Sequence, residues 1–145
     1  GTLYRQTMFA EFELEANEMT RRGEGTTADA LCALYKKLNE QYFGPEMVVD
    51  DEIALEWARI PHFYYDYYVY QYATGYAAAI ALSRRILREG EPAVCDYLGF
   101  LSGGCSADPI TLLRGAGVDM ASPKPVEDAT ALFDSLIGEM EELLK

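Results

Sequence analysis

Histidine is almost missing from this chain. It occurs once, at His62, and the three cysteines (Cys32, Cys95, Cys105) stand far apart, with no C-x-x-C pair among them. A closed metal site needs several such ligands at defined spacing, so the chain is expected to carry no metal ligands of its own. Odd, widely spaced cysteines fit reduced thiols better than a disulfide framework, and the expected location is cytoplasmic. Positive charge is scarce too: 12 Lys and Arg face 24 Asp and Glu, a formal charge of -12. Nucleic acids and anionic bilayers are both bound through clustered cations, so no nucleic acid and no membrane is expected as a partner. Long apolar runs are missing as well. The longest, residues 73–82, contains Thr74 and Gly75 and is too short to span a bilayer. Arg5, Glu11 and Glu13 interrupt any early apolar stretch, so no signal peptide is expected at the start.

What is present is a globular composition: half the residues are apolar and a quarter are charged. A length of 145 residues fits one domain, or part of one, around a single core. Apolar residues recur at three-to-four spacing, which predicts helices. Over residues 4–22 the stripe is Met8, Phe12, Glu15 and Met19, widened by Phe9, Leu14 and Ala16, with Glu11, Glu13 and Glu18 left to solvent. Glu11 and Glu15 share a face but have no histidine beside them, so they read as solvated charge. Thr26 or Thr27 caps a second helix that Gly44-Pro45 closes. A short third helix around Ile53, Leu55 and Trp57 ends at Pro61. The longest helical pattern covers residues 63–88, with Arg84, Arg85 and Arg88 in its last turn and Gly90 as the stop. Shorter helices follow at residues 93–101 and 109–115. In a final helix Ala129, Leu132, Phe133, Leu136, Met140 and Leu143 form the expected buried stripe. Only residues 47–49 hint at alternation, so the fold class is all-α. Gly103-Gly104 and Gly115-Ala116-Gly117 lack the context of a phosphate loop and read as turns.

Eleven tyrosines occur, seven of them between Tyr64 and Tyr76. On a continuous helix Tyr65, Tyr68, Tyr72 and Tyr76 share one face, while Tyr67 and Tyr70 point away. Such a stripe has two readings. Aromatic rings at helical spacing bury area, which suits Tyr67, Tyr70 and Tyr76 as core. Burying every hydroxyl in so few turns would demand many hydrogen-bond partners, so the other phenols suit the wall of a cleft. Tyrosine O–H and histidine N–H are both suitable donors to an oxygen that becomes charged in a transition state. His62 follows Pro61 and therefore sits in a helix-entry segment.

Three stretches carry a family resemblance: Tyr4-Arg5-Gln6-Thr7-Met8-Phe9-Ala10-Glu11-Phe12-Glu13, residues 60–75 with Pro-His-Phe-Tyr-Tyr-Asp and Tyr-Gln-Tyr-Ala-Thr-Gly, and Gly115-Ala116-Gly117-Val118-Asp119-Met120 followed by Pro123, Pro125, Val126 and Glu127. In this order they resemble the oligoendopeptidase F family, bacterial relatives of thimet oligopeptidase, and together they span nearly the whole chain. The resemblance implies the all-α, multi-helix C-terminal portion of a thimet oligopeptidase/neurolysin-like metallopeptidase that cleaves short peptides in a deep channel. It implies a zinc ion held by an H-E-x-x-H helix and a later glutamate. With one histidine this chain lacks H-E-x-x-H, so the ligands are expected upstream. Residues 1–145 then read as a single C-terminal segment forming the channel wall, inactive alone, with the N-terminal part of the same protein as partner. By the same resemblance His62 and Tyr72 are the catalytic oxyanion donors, and Tyr65, with Tyr68 sharing its face, contacts substrate. The chain differs from relatives nearer thimet oligopeptidase in having Val69 in place of a further tyrosine. It also lacks glycines between His62 and Tyr65. The alternative is a non-catalytic helical module whose tyrosine face docks a peptide or partner helix.

Overall fold

The computed structural model describes residues 1–145, which form six α-helices, two 3-10 helices and no strand. The helices are α1 (Tyr4–Arg21), α2 (Ala28–Phe43), α3 (Tyr70–Glu89), α4 (Glu91–Ser102), α5 (Pro109–Gly115) and α6 (Lys124–Leu143). The 3-10 helices, Glu52–Arg59 and Pro61–Tyr64, lie between α2 and α3. Two compact units result, Gly1–Ala73 and Thr74–Lys145. Each has its own apolar cluster, where the length alone suggested one core.

In the first unit α1 packs on α2, and α2 on the first 3-10 helix. Thr27 caps α2 by accepting from the Ala30 N–H, and Gly44 ends it at φ 76, a backbone angle that favours glycine. The core is Met8, Phe9, Phe12, Tyr35, Leu38, Ile60 and Val69, with Trp57 and Phe63 packed against it. Burying each such large side chain contributes about 1.5–3 kcal/mol. Phe12 meets Tyr35 edge-on at 5.1 Å and Trp57 at 6.2 Å. The Trp57 Nε1–H points at the Cys32 thiol, 3.4 Å away.

One charged group enters this interior. Glu56 is buried, accepts from Tyr35 Oη at 2.7 Å and Arg5 Nη2 at 2.5 Å, and also pairs with Arg59. Burial alone would push its carboxyl up. The Tyr35 hydrogen bond and the Arg5 and Arg59 charges outweigh that and hold it below the ordinary carboxylate value.

The second unit is built on Ala78, Leu82, Ala116 and Val118, with Tyr97, Phe100 and Leu113 packed around them. Asp108 caps α5 by accepting from the Thr111 N–H at 3.0 Å, as the Asp-Pro pair predicts. Arg85 ties the unit together: it donates to the Ala116 carbonyl (2.6 Å), Asp96 (2.7 Å) and Glu89 (2.8 Å). Gly117 follows at φ 81, and a Cβ there would lie 2.5 Å from Arg85 Nη1. Gly117→Ala is therefore expected to destabilise the chain by about 1–3 kcal/mol, the cost of a left-handed non-glycine residue, with displacement of Arg85 adding to it. Urea unfolding checks this, and an unchanged midpoint would contradict it. A cavity of about 610 Å³ in this unit is lined by Arg84, Arg85, Arg88 and Lys124, with Asp119 and Asp128 among them.

The stripe expected to be buried on α6 is only partly so. Ala129 is buried and Leu132 half-buried, but Leu136, Met140 and Leu143 are exposed, as is much of Phe133. Periodicity marks the apolar face of a helix, and the second unit supplies no element to cover its last turns. No helix is long and apolar enough to cross a membrane.

Candidate functional site

The continuous helix expected over residues 63–88 does not form, and its failure builds the site. Ile60 and Val69 are both buried in the first unit's core, at 8% and 0% exposure. On a continuous helix over residues 63–88, Phe63 and Val69 would point about 120° apart, and Ile60 would lie outside it. Phe63 meets the same core, at 5.6 Å from Phe9 and 5.0 Å from Phe12. The chain reaches all three anchors by making one short 3-10 helix, breaking, and starting α3 only at Tyr70. A run of tyrosines does little to resist this, since aromatic residues lose rotamer freedom in a helix. In the break Asp66 and Tyr67 adopt φ 50 and φ 59. Neither is glycine; each such residue costs about 1–3 kcal/mol and persists only where its surroundings hold it.

The residues between the anchors stay outside. Tyr65, Tyr68 and Tyr72 are exposed and His62 half-buried, and the four converge. Tyr72 Oη and His62 Nε2 share a hydrogen bond of 3.1 Å. The Tyr68 ring stacks near the imidazole at 5.9 Å, while Tyr65 and Tyr72 meet it edge-on at 5.8 and 5.7 Å. Tyr68 also contacts Tyr65 at 6.1 Å and Tyr72 at 5.5 Å. A hydrogen bond with Tyr68 raises the Tyr72 phenol above its ordinary value, and lost hydration and the neighbouring phenols add to the shift. Tyr72 is thus kept as a neutral donor. The grouping expected on a helix face is reached through a turn instead. Tyr76, expected on the same face, lies outside the cluster. Tyr67, Tyr70 and Tyr76, expected as core, are all exposed.

One participant lies where the charge pattern does not place it. Glu13, expected in solvent, is buried beneath the turn, and its Oε1 accepts the Tyr67 N–H at 2.8 Å. Burial raises its carboxyl, the Tyr67 hydrogen bond opposes that, and the Asp66 charge adds to the rise. The available signal was its spacing: Glu13 lies one turn beyond Phe9, on the face that Phe9 and Phe12 bury. The chain's residues do not fit a zinc ion. No three His, Cys, Asp or Glu side chains converge, and the single imidazole is ringed by phenols.

Comparison with known proteins places the chain in a family. The model of peptidase family M3 matches residues 1–132. Oligopeptidase PepF of Bacillus subtilis is 58% identical over 144 residues, 99% of this chain and 22% of that protein. The chromosomal oligoendopeptidase F of Lactococcus lactis subsp. cremoris is 41% identical over 145 residues, all of this chain and 24% of that protein. The crystal structure of oligoendopeptidase-F from Enterococcus faecium superposes with a TM-score of 0.95 at 45% identity, covering 99% of this chain and 28% of that one. The chain thus spans about a quarter of the length of the relatives it matches. Its helices follow that structure almost throughout and the family model covers most of its length, so the chain belongs to peptidase family M3, among the oligoendopeptidase F proteins.

Proposed function

We propose that residues 1–145 are the C-terminal helical part of a cytoplasmic zinc endopeptidase of short peptides, forming one wall of its channel. The 3.1 Å pairing of Tyr72 Oη with His62 Nε2 inside a ring of phenols carries this reading. With the Nε2–H tautomer, His62 donates to Tyr72 Oη, and the phenolic hydrogen, which the resting site shares with Tyr68, turns to the substrate when a carbonyl oxygen is placed beside it. A peptide carbonyl placed there receives a donor strengthened by the one behind it, at the oxygen that becomes negative as the amide is attacked. Tyr65 and Tyr68 offer ring faces and hydroxyls to the substrate backbone on either side. The family's zinc finds no ligands here, so the partner in this reading is the N-terminal part of the same protein.

The test compares the 145-residue chain with the complete protein on an internally quenched short peptide. The complete protein should cleave it in a chelator-sensitive way, and the chain alone should not. Chelator-sensitive cleavage by the chain alone would overturn the division of labour. Binding without cleavage by the complete protein would favour a docking module.

A further inference from the structure

The buried carboxylate of Glu13 has no part in the oxyanion chemistry, yet it reaches the segment that carries it. The amides flanking the turn bond locally: Tyr65 N–H to the His62 carbonyl at 3.0 Å, and Gln71 N–H to the Tyr68 carbonyl at 3.2 Å. The Tyr67 N–H instead crosses to a different helix and ends on Glu13. It does so at the second of two consecutive left-handed, non-glycine residues, where the backbone would otherwise relax to a commoner conformation. Tyr65 and Tyr68 flank that pair, and both touch His62. A relaxed Asp66-Tyr67 pair would swing the two phenols relative to the imidazole, while Ile60, Phe63 and Val69 stayed in the core.

We infer that Glu13 is a positioning residue: its carboxylate latches the Tyr67 amide and thereby sets Tyr65 and Tyr68 against His62. This rests on the reading of the site given above. What the latch needs is an acceptor oxygen at the right reach. Glutamine keeps both acceptor and length, alanine removes the acceptor, and aspartate keeps the charge but falls short by one methylene.

The experiment uses the complete peptidase with two readouts, kcat/KM on a quenched peptide and hydrogen exchange of the Tyr67 amide. In the parent protein that amide should exchange slowly although its residue is exposed. Glu13→Ala should accelerate the exchange at least about tenfold and lower kcat/KM about ten- to a hundredfold, since small misplacements of positioned groups carry penalties of that size. Glu13→Gln should stay within about threefold of the parent on both readouts. Should Glu13→Ala fail to fold, Glu13→Asp takes its place, with faster exchange and lower kcat/KM expected despite the retained charge. A freely exchanging Tyr67 amide in the parent overturns the latch whatever the activity. So does a glutamine variant as impaired as alanine, or an aspartate variant with parental kcat/KM. Slow exchange and glutamine rescue, alongside Tyr72→Phe turning over normally, would leave the latch standing and remove the oxyanion assignment instead.

Discussion

Tyr72→Phe in the complete peptidase should lower kcat by about 10²–10³, or about 2.7–4 kcal/mol, while KM moves little. The substitution removes one hydroxyl, the one that pairs with His62 Nε2. A donor to an oxygen charged only in the transition state contributes little to ground-state binding, so its loss appears in turnover. His62→Ala should show the same pattern, because it removes the donor behind Tyr72. Thermal unfolding should hardly change for Tyr72→Phe, since the ring and its edge contacts with His62 and Tyr68 persist. Tyr97→Phe, a phenol packed beside Phe100 in the second unit, is the matched control and should turn over normally. The Tyr72 phenol is raised above its ordinary value of 10.0, so it remains protonated, and hence a donor, to a higher pH than a free tyrosine. If Tyr72→Phe behaves like Tyr97→Phe, the phenol cluster is packing and not chemistry.

The second large effect concerns stability. Glu56→Ala should cost the first unit about 3 kcal/mol, the low end for breaking a buried pair, because Arg5 and Arg59 keep some access to water. Much of that cost falls on Tyr35, whose hydroxyl is fully buried and would lose its carboxylate partner. The same network gives a pH dependence of definite sign. The folded Glu56 carboxyl lies below its ordinary value of 4.5, so its contribution is complete above that value and fades as pH falls through the lowered one. Chemical denaturation of parent and Glu56→Ala at neutral and acid pH should therefore show curves that converge on the acid side. A constant gap between them would contradict this account.

How far the sequence could be read depends on where each instruction is written. α5 was legible to the residue, because Asp108-Pro109 specifies its own start by local capping. α2 is legible within a residue or so for the same reason, through Thr27 and Gly44, whereas α1, which has no side-chain cap, is legible from its apolar stripe. The tyrosine segment was not, because its break is dictated by Ile60, Phe63 and Val69 all seeking one core, a demand no local propensity encodes. Periodicity also labelled Leu136, Met140 and Leu143 as apolar without saying whether anything covers them. Family resemblance points to His62, Tyr65 and Tyr72, and a shared helix face to Tyr68; the four gather, though through a turn. The turn that gathers them is set by tertiary packing, and the glutamate beneath it is marked in the sequence only by its place one turn beyond Phe9.

The single tryptophan belongs entirely to the first unit, wedged against Phe12 with its indole N–H on a thiol. Thiols quench indole emission, so Trp57 should be dim while Cys32 stays beside it and brighten as the two separate. The chain therefore carries an intrinsic fluorescent gauge that reads the scaffold under the phenol cluster. Unfolding followed by tryptophan emission would register Glu56→Ala directly, because Glu56 and Trp57 are neighbours on one 3-10 helix.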